Sequence, residues 1–286
     1  YRDEFIFNNL GFDLKYIINS NSTLDLTYKP DFEQINQDPA EVNNTAYETY
    51  YEERRDFFLE NELFFKTPIM VFYSRRIGGN ETVGSNDDEI SLDALKFGTR
   101  LNSAAKYTFK NNNSNYGLLL SYATPDFLRQ SDKTDGNQTF NVNSSIFRAS
   151  RLLTDNKHSV GVIATNYNTI YNSSTVYGYD FSLNFSENRI FFDGQVVRSN
   201  NNSILGKGYN FEFGFRSNLF SIFNKDNFYF DFWFKNNQYD RTFDINRLGY
   251  LFRNDLKESN IGFAINNDSN KNMSRYILQY YKAKNF

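Results

Sequence analysis

Hydrophobic and polar residues alternate along most of this chain. In Tyr177-Gly178-Tyr179-Asp180-Phe181-Ser182-Leu183-Asn184-Phe185 every odd position is large and apolar or aromatic, and every even one is small or polar. The run from Tyr209 to Arg216 repeats the pattern, as do Phe228, Phe230, Phe232 and Phe234, and, early in the chain, Leu10, Phe12, Leu14, Tyr16 and Ile18. Weaker versions occupy 116–124, 159–167, 261–265 and 276–282. A period of two is that of a β-strand with unlike faces. Polar, asparagine-rich stretches separate the strands at 19–22, 111–115, 172–174, 200–203 and 266–270, where Asn tolerates left-handed turn geometry. The pattern predicts an antiparallel, up-and-down meander of about fourteen strands of about ten residues. Helical periodicity is confined to the neighbourhood of Pro39 to Glu60. All 4 prolines precede Asp126 and no linker divides the chain, so residues 1–286 read as a single β domain.

Period two does not say which face meets water. A soluble sandwich or lipocalin-like barrel turns its aromatic face inward. A membrane barrel turns that face to lipid and keeps polar side chains in its lumen. Strand length, the number of consecutive hairpins, and even positions rich in Gly, Ser, Asn, Asp, Glu and Arg favour the transmembrane β-barrel. A soluble secreted β-sandwich or lipocalin-like binding protein is the alternative. Composition fits the barrel: 31 Phe and 21 Tyr supply a lipid face and interfacial girdles, and a mean hydropathy of -0.65 is compatible because only half of each strand would face lipid. No apolar run of about 18 residues predicts a membrane-spanning helix. Tyr1-Arg2-Asp3-Glu4 has neither the basic start nor the apolar core of a signal peptide, as expected of a mature or trimmed chain.

The remaining composition removes chemistry. With no cysteine there is no disulfide, thiolate or zinc–cysteine site. His158 is the single histidine, and no matched serine motif accompanies it, so no catalytic residue, metal site or cofactor is expected. A net charge of -3 offers no basic field to nucleic acid.

One long stretch breaks the alternation. It contains Pro30-Asp31-Phe32, Gln34, Asp38-Pro39, Val42-Asn43, Glu48, Glu53-Arg54-Arg55, Phe57-Phe58-Leu59-Glu60 and Tyr73-Ser74-Arg75-Arg76-Ile77-Gly78. With the hairpin residues Gly11-Phe12-Asp13-Leu14-Lys15-Tyr16 and Leu24-Asp25-Leu26-Thr27 before it, this block resembles the signature of a large family of uncharacterised Gram-negative outer-membrane β-barrel proteins, described only as a domain of unknown function. Ala105-Lys106, Tyr177 to Phe181, Phe243 and Leu248-Gly249-Tyr250 extend the likeness over nearly the whole chain. The resemblance implies a barrel fold and an outer-membrane location in a Gram-negative bacterium, but no catalytic residues. In that family the barrel usually follows a domain similar to family-nine carbohydrate-binding modules and continues past a point like Phe286, so the chain is expected to be a fragment or a short member. It departs from the signature at Glu52 and Asp56, where the family tends to have proline, and at Asn61, where it tends to have glycine.

A segment of this length between strands is too long for a hairpin turn. Residues 30–66 are therefore expected to fold inward as a plug-like insertion. Glu48, Glu53, Arg54, Arg55, Glu60, Arg75 and Arg76 are its candidate binding residues. Arginine forks suit carboxylate, phosphate or sugar hydroxyls, but the same set also fits an internal ion-pair network that only fills a narrow lumen. Arg75 and Arg76 are expected on a strand, facing opposite ways, the inward one paired with Glu48, Glu53 or Glu60. Phe57, Phe58, Phe64 and Phe65 are expected to anchor the segment to the wall. Asp87-Asp88-Glu89 reads as a solvated loop. The expected function is binding or passage of a polar solute, a saccharide in the leading reading, with the lipid bilayer as partner. An anchor for a protein partner in the outer membrane is the second reading, and a barrel-embedded hydrolase is disfavoured by the lone His158.

Overall fold

The alternating segments form long strands that pair with their sequence neighbours. In this computed structural model the described residues are 11–30, 48–78, 80–82, 96–125, 141–153, 157–169, 172–187, 189–218, 220–222, 225–269 and 272–285. The strands are β1 (Phe12–Asn19), β2 (Ser22–Tyr28), β3 (Asn80–Thr82), β4 (Lys96–Lys110), β5 (Ser114–Pro125), β6 (Val142–Leu153), β7 (His158–Asn168), β8 (Ser173–Phe185), β9 (Ile190–Asn201), β10 (Ile204–Arg216), β11 (Phe220–Ile222), β12 (Lys225–Tyr239), β13 (Leu256–Ser269) and β14 (Asn272–Lys284). Among the described residues the order β1-β2-β4-β5-β6-β7-β8-β9-β10-β12-β13-β14 is one antiparallel up-and-down sheet of twelve strands, with short β3 on β4 and short β11 on β12. The expected meander of about fourteen full strands is corrected to this path of twelve. The reason is length: β5, β9 and β13 run 12, 12 and 14 residues, because Asn115, Asn200, Asn201, Asn266 and Asn267, expected in turns, stay in the ladder. The turn expected at 200–203, for example, shrinks to Asn202 and Ser203, both at positive φ. Among the described residues β1 and β14 do not pair, so barrel closure is not found.

The two faces differ. On β6, Val142, Ser144, Ile146 and Arg148 are buried while Asn143 and Phe147 are exposed. The face of Arg148 is here the inner face. It is covered by two inserted segments that leave the strand pattern, Glu48–Gly78 ahead of β3 and 240–255 between β12 and β13. Phe58, Phe65 and Ile77 pack with Leu101, Leu119 and Ile146, while Ile69, Val71, Phe243 and Ile245 pack with Ile163, Val176 and Val197. The opposite, outer face carries Tyr116, Leu118, Phe147, Val160, Tyr177, Tyr179, Phe192, Val196 and Phe263, all exposed.

These outer residues form a belt that runs obliquely to the hydrogen-bonded rows. The row through Leu118 passes Phe147 and Ala164 and reaches β8 at Tyr177. The row through Phe232 passes Phe215 and Ile190 and reaches β8 at Phe185. Two apolar centres six strand-to-strand steps apart thus arrive about eight residues apart on β8. At about 3.3 Å per residue and about 4.8 Å between strands, the strands incline by roughly 40° to the normal of the belt.

Candidate functional site

The first inserted segment is held by a buried ion pair. Glu53 and Arg55 lie two residues apart, just before the single turn of helix Asp56–Leu59 (α1). Arg55 Nε donates to Glu53 Oε1 at 2.8 Å and Nη2 to Oε2 at 2.7 Å. The same guanidinium caps the chain turn at 74–77, donating to the carbonyls of Ser74 at 2.7 Å and Ile77 at 2.5 Å. Ser74 Oγ–H donates to Glu53 Oε2 at 2.6 Å, and the Arg55 fork lies over the Phe58 ring. Four of the five N–H donors of the Arg55 guanidinium are thereby used inside the segment. Burial pushes the Glu53 carboxyl up, but the hydrogen bonds and charge of Arg55, with those of Ser74 and the backbone, outweigh it and hold the group at about 2.

The rest of the charged set divides. Arg76 pairs with Glu48 at 2.5 Å and donates to the Gly249 carbonyl, which ties the two inserted segments together. Arg75 donates to the Glu52 carbonyl. Both arginines sit in a 3-10 turn, Ser74–Arg76, and not on a strand, so the expected opposite-facing pair is corrected; the tight turn and the pull of two partners on different segments replace strand geometry. Glu60 pairs with Lys15 of β1 in an exposed contact. Arg54 is exposed and gives its backbone N–H to Glu53. The set is thus spread through the segment's own frame and is not gathered around one cavity. Phe58 and Phe65 are buried anchors, and Phe57 and Phe64 pack against the same cluster. Residues 31–47 of the expected plug and Asp87-Asp88-Glu89 lie outside the described residues.

Lys106 fixes the segment to the wall. It is almost wholly buried on β4, and its Nζ donates to the carbonyls of Phe57 and Glu60, lies 3.5 Å from Asp25 of β2, and sits over the Phe57 ring. At the other edge of the segment Tyr50, Tyr73 and Tyr250 form a three-ring cluster with centroids 5.2–5.5 Å apart. Burial raises the Tyr73 and Tyr250 hydroxyls, which donate to the carbonyls of Tyr51 and Glu48.

Sequence reasoning missed the second inserted segment. Its signals were the loss of alternation after Tyr239, with irregularly spaced Phe243, Ile245 and Leu248, and the likeness at Phe243 and Leu248-Gly249-Tyr250, neither of which marks an insertion. Asn201 of β9 donates to the Asp244 carbonyl, Thr242 donates to the Leu205 carbonyl, and Arg247 lies over Tyr167 of β7. Beyond these two segments the inner face mixes polar side chains with the rings of Phe191 and Trp233, which lie across Gly214 and Gly262 of the neighbouring strands. Arg148 makes a two-pronged ion pair with Asp180 across Gly161. Next to it Pro68, Asp180, Ser182, Asp193, Asn210, Glu212 and Lys235 line a half-open cavity of about 400 Å³. Glu212 and Lys235 face each other at 3.8 Å, and the buried Oδ1 of Asp193 has no hydrogen-bond partner among the described residues. This vestibule can offer several carboxylate and amide acceptors, and an ammonium donor, to one ligand.

His158 is held at a hairpin end, accepting from the Asn184 N–H, with its ring tilted against that of Phe185. Among the described residues no His, Cys, Asp or Glu side chains group as metal ligands. Residues 3–285 match the family described as Domain of unknown function (DUF5916). The chain belongs to that family. In this DUF5916 chain the signature block of charged and aromatic residues is the frame of the inserted segment. No curated protein and no solved structure matches it.

Proposed function

We propose that the chain forms the wall and interior insert of an outer-membrane β-barrel that binds or passes a polar solute of the saccharide class. The observation that carries this reading is the oblique apolar belt on the outer face. Its inclination of roughly 40° falls within the tilt of strands in membrane barrels, and a belt of constant height is what a lipid bilayer requires. A soluble protein would leave that aromatic surface in water at a large cost. The ion pairs and amides of the inner face and the two inserted segments on it support a lumen with its own packing. The vestibule beside Asp180 supplies hydroxyl-binding acceptors in the uncovered part of that lumen.

The connections fit the same reading. Those at 20–21, 111–113 and 186–189 are short, while the long ones at 29–95, 126–141 and 240–255 all lie at the opposite end of the sheet, beside the short 169–172 and 202–203, and long connections gathered at one end are a trait of outer-membrane barrels. Purified full-length chain should need detergent and should migrate faster unheated than boiled in gel electrophoresis. With that established, Asp193→Asn with Glu212→Gln should weaken retention of a maltooligosaccharide series about tenfold or more. Water solubility without detergent would overturn the barrel, and unchanged binding by the double variant would overturn the vestibule. The buried latches of the insert favour one second reading, an occluded barrel that anchors a protein partner. It predicts no single-channel conductance in planar bilayers, whereas solute passage predicts steps.

A further inference from the structure

The outer face is not uniformly covered by large side chains. Between β5 and β8 the row Tyr116, Ala149, Val162, Tyr179 sets small residues between two tyrosines. The result is an open groove of about 460 Å³ with Ala149, Val160 and Val162 as floor, Tyr116 and Tyr179 as walls, and Arg151 beside it, lined almost wholly by apolar atoms. Arg151 is exposed on the outer face, with Ala149 before it and exposed Leu153 after it along β6. It makes no ion pair and no side-chain hydrogen bond among the described residues. Arg148, three residues earlier on the inner face, is fully paired with Asp180.

We propose that this groove binds one glycerophospholipid, with an acyl chain along Ala149, Val160 and Val162 and the phosphate on the Arg151 guanidinium. The inference rests on the reading of the outer face as lipid-facing. In that setting an unpaired cation within an apolar belt is costly, and its side chain must reach toward the headgroup layer. A phosphate diester is the anion a lipid surface supplies, and the planar fork of arginine matches two of its oxygens. The tyrosine walls are continuous with the belt and stand three strand-to-strand steps apart, roughly 14 Å, which leaves room for an acyl chain over the short floor side chains. Arg151 lies near the end of β6 that enters the connection 154–157, so the lipid belongs to the leaflet at the short-connection end.

The test uses full-length chain in mild detergent micelles, titrated with dimyristoyl phosphatidylglycerol and read by native mass spectrometry. The unaltered protein should hold one lipid through detergent exchange. Arg151→Gln should weaken retention about tenfold, and Ala149→Phe, which fills the floor, should abolish it. Arg198→Gln, an outward arginine at the opposite end, should leave it unchanged, and inorganic phosphate should not compete. Equal retention by both groove variants, with heat-modifiable migration preserved, overturns the groove and leaves the barrel standing. Competition by inorganic phosphate overturns the lipid as ligand. A chain that never enters vesicles overturns both.

Discussion

Glu53 and Glu60 stand seven residues apart in the same inserted segment, and their surroundings give them opposite weights. Glu53 is nearly sealed with Arg55, so removing it leaves a buried guanidinium without its counter-charge, at about 3–5 kcal/mol. Glu60 meets Lys15 in water, where such pairs contribute about 0.5 kcal/mol or less. Glu53→Gln should therefore lower the unfolding midpoint and expose the insert to protease, while Glu60→Gln changes neither; equal effects in denaturant titrations would contradict the burial argument. Glu53 also fixes a pH dependence. Its folded value near 2 lies below the ordinary 4.5, so the stabilisation is complete above about pH 4.5 and drains as pH falls toward 2. Unfolding followed from pH 5 to pH 2 should show that slope, and Glu53→Gln should flatten it. Charge and spacing were visible in the sequence for both acids; burial, which separates them, was not.

The two inserted segments act as a pair. Tyr73 donates its N–H to the Leu248 carbonyl, Tyr250 donates its N–H to the Met70 carbonyl, and Arg76 reaches Gly249. Gly249 is where they come closest: a Cβ there would lie 2.6 Å from the Met70 oxygen and 2.8 Å from that of Val71. These are backbone atoms that cannot swing aside, so Gly249→Ala should part the segments at a cost of about 1–3 kcal/mol. Hydrogen exchange should then quicken across 68–78 and 243–251 together, while the ladder from β5 to β10 keeps its protection. Exchange confined to one segment would mean that they are anchored separately. The sequence marked the first segment by its length, and the second was hidden because 240–255 resembles an ordinary connection until Phe243 and Leu248 are seen on the inner face.

For the whole molecule the decisive quantity is which face meets apolar surroundings. Phe213 lies on the outer face of β10 opposite Phe234, and Glu212 lies on the inner face opposite Lys235. Phe213→Arg places a charge in the belt, costing about 2–4 kcal/mol in a bilayer, and should block folding into vesicles, whereas Glu212→Gln should insert normally. Gel migration after incubation with phospholipid vesicles reads both, and normal insertion of Phe213→Arg would refute the lipid-facing belt. The sequence alone determined the β class, the antiparallel neighbour pairing and the division into an apolar and a polar face, because a two-residue period and asparagine-rich turns are local properties of the chain. It also singled out the segment around Glu53 and Arg55. It did not determine strand number, since Asn serves turn and ladder alike, nor the partners of Arg76, Lys106 and Arg148. Those depend on contacts between residues tens of positions apart, and only the tertiary structure decides them: the register that slants the belt, the crossing of two distant segments at Gly249, and the union of Asp180, Asp193, Glu212 and Lys235 from four strands around one vestibule.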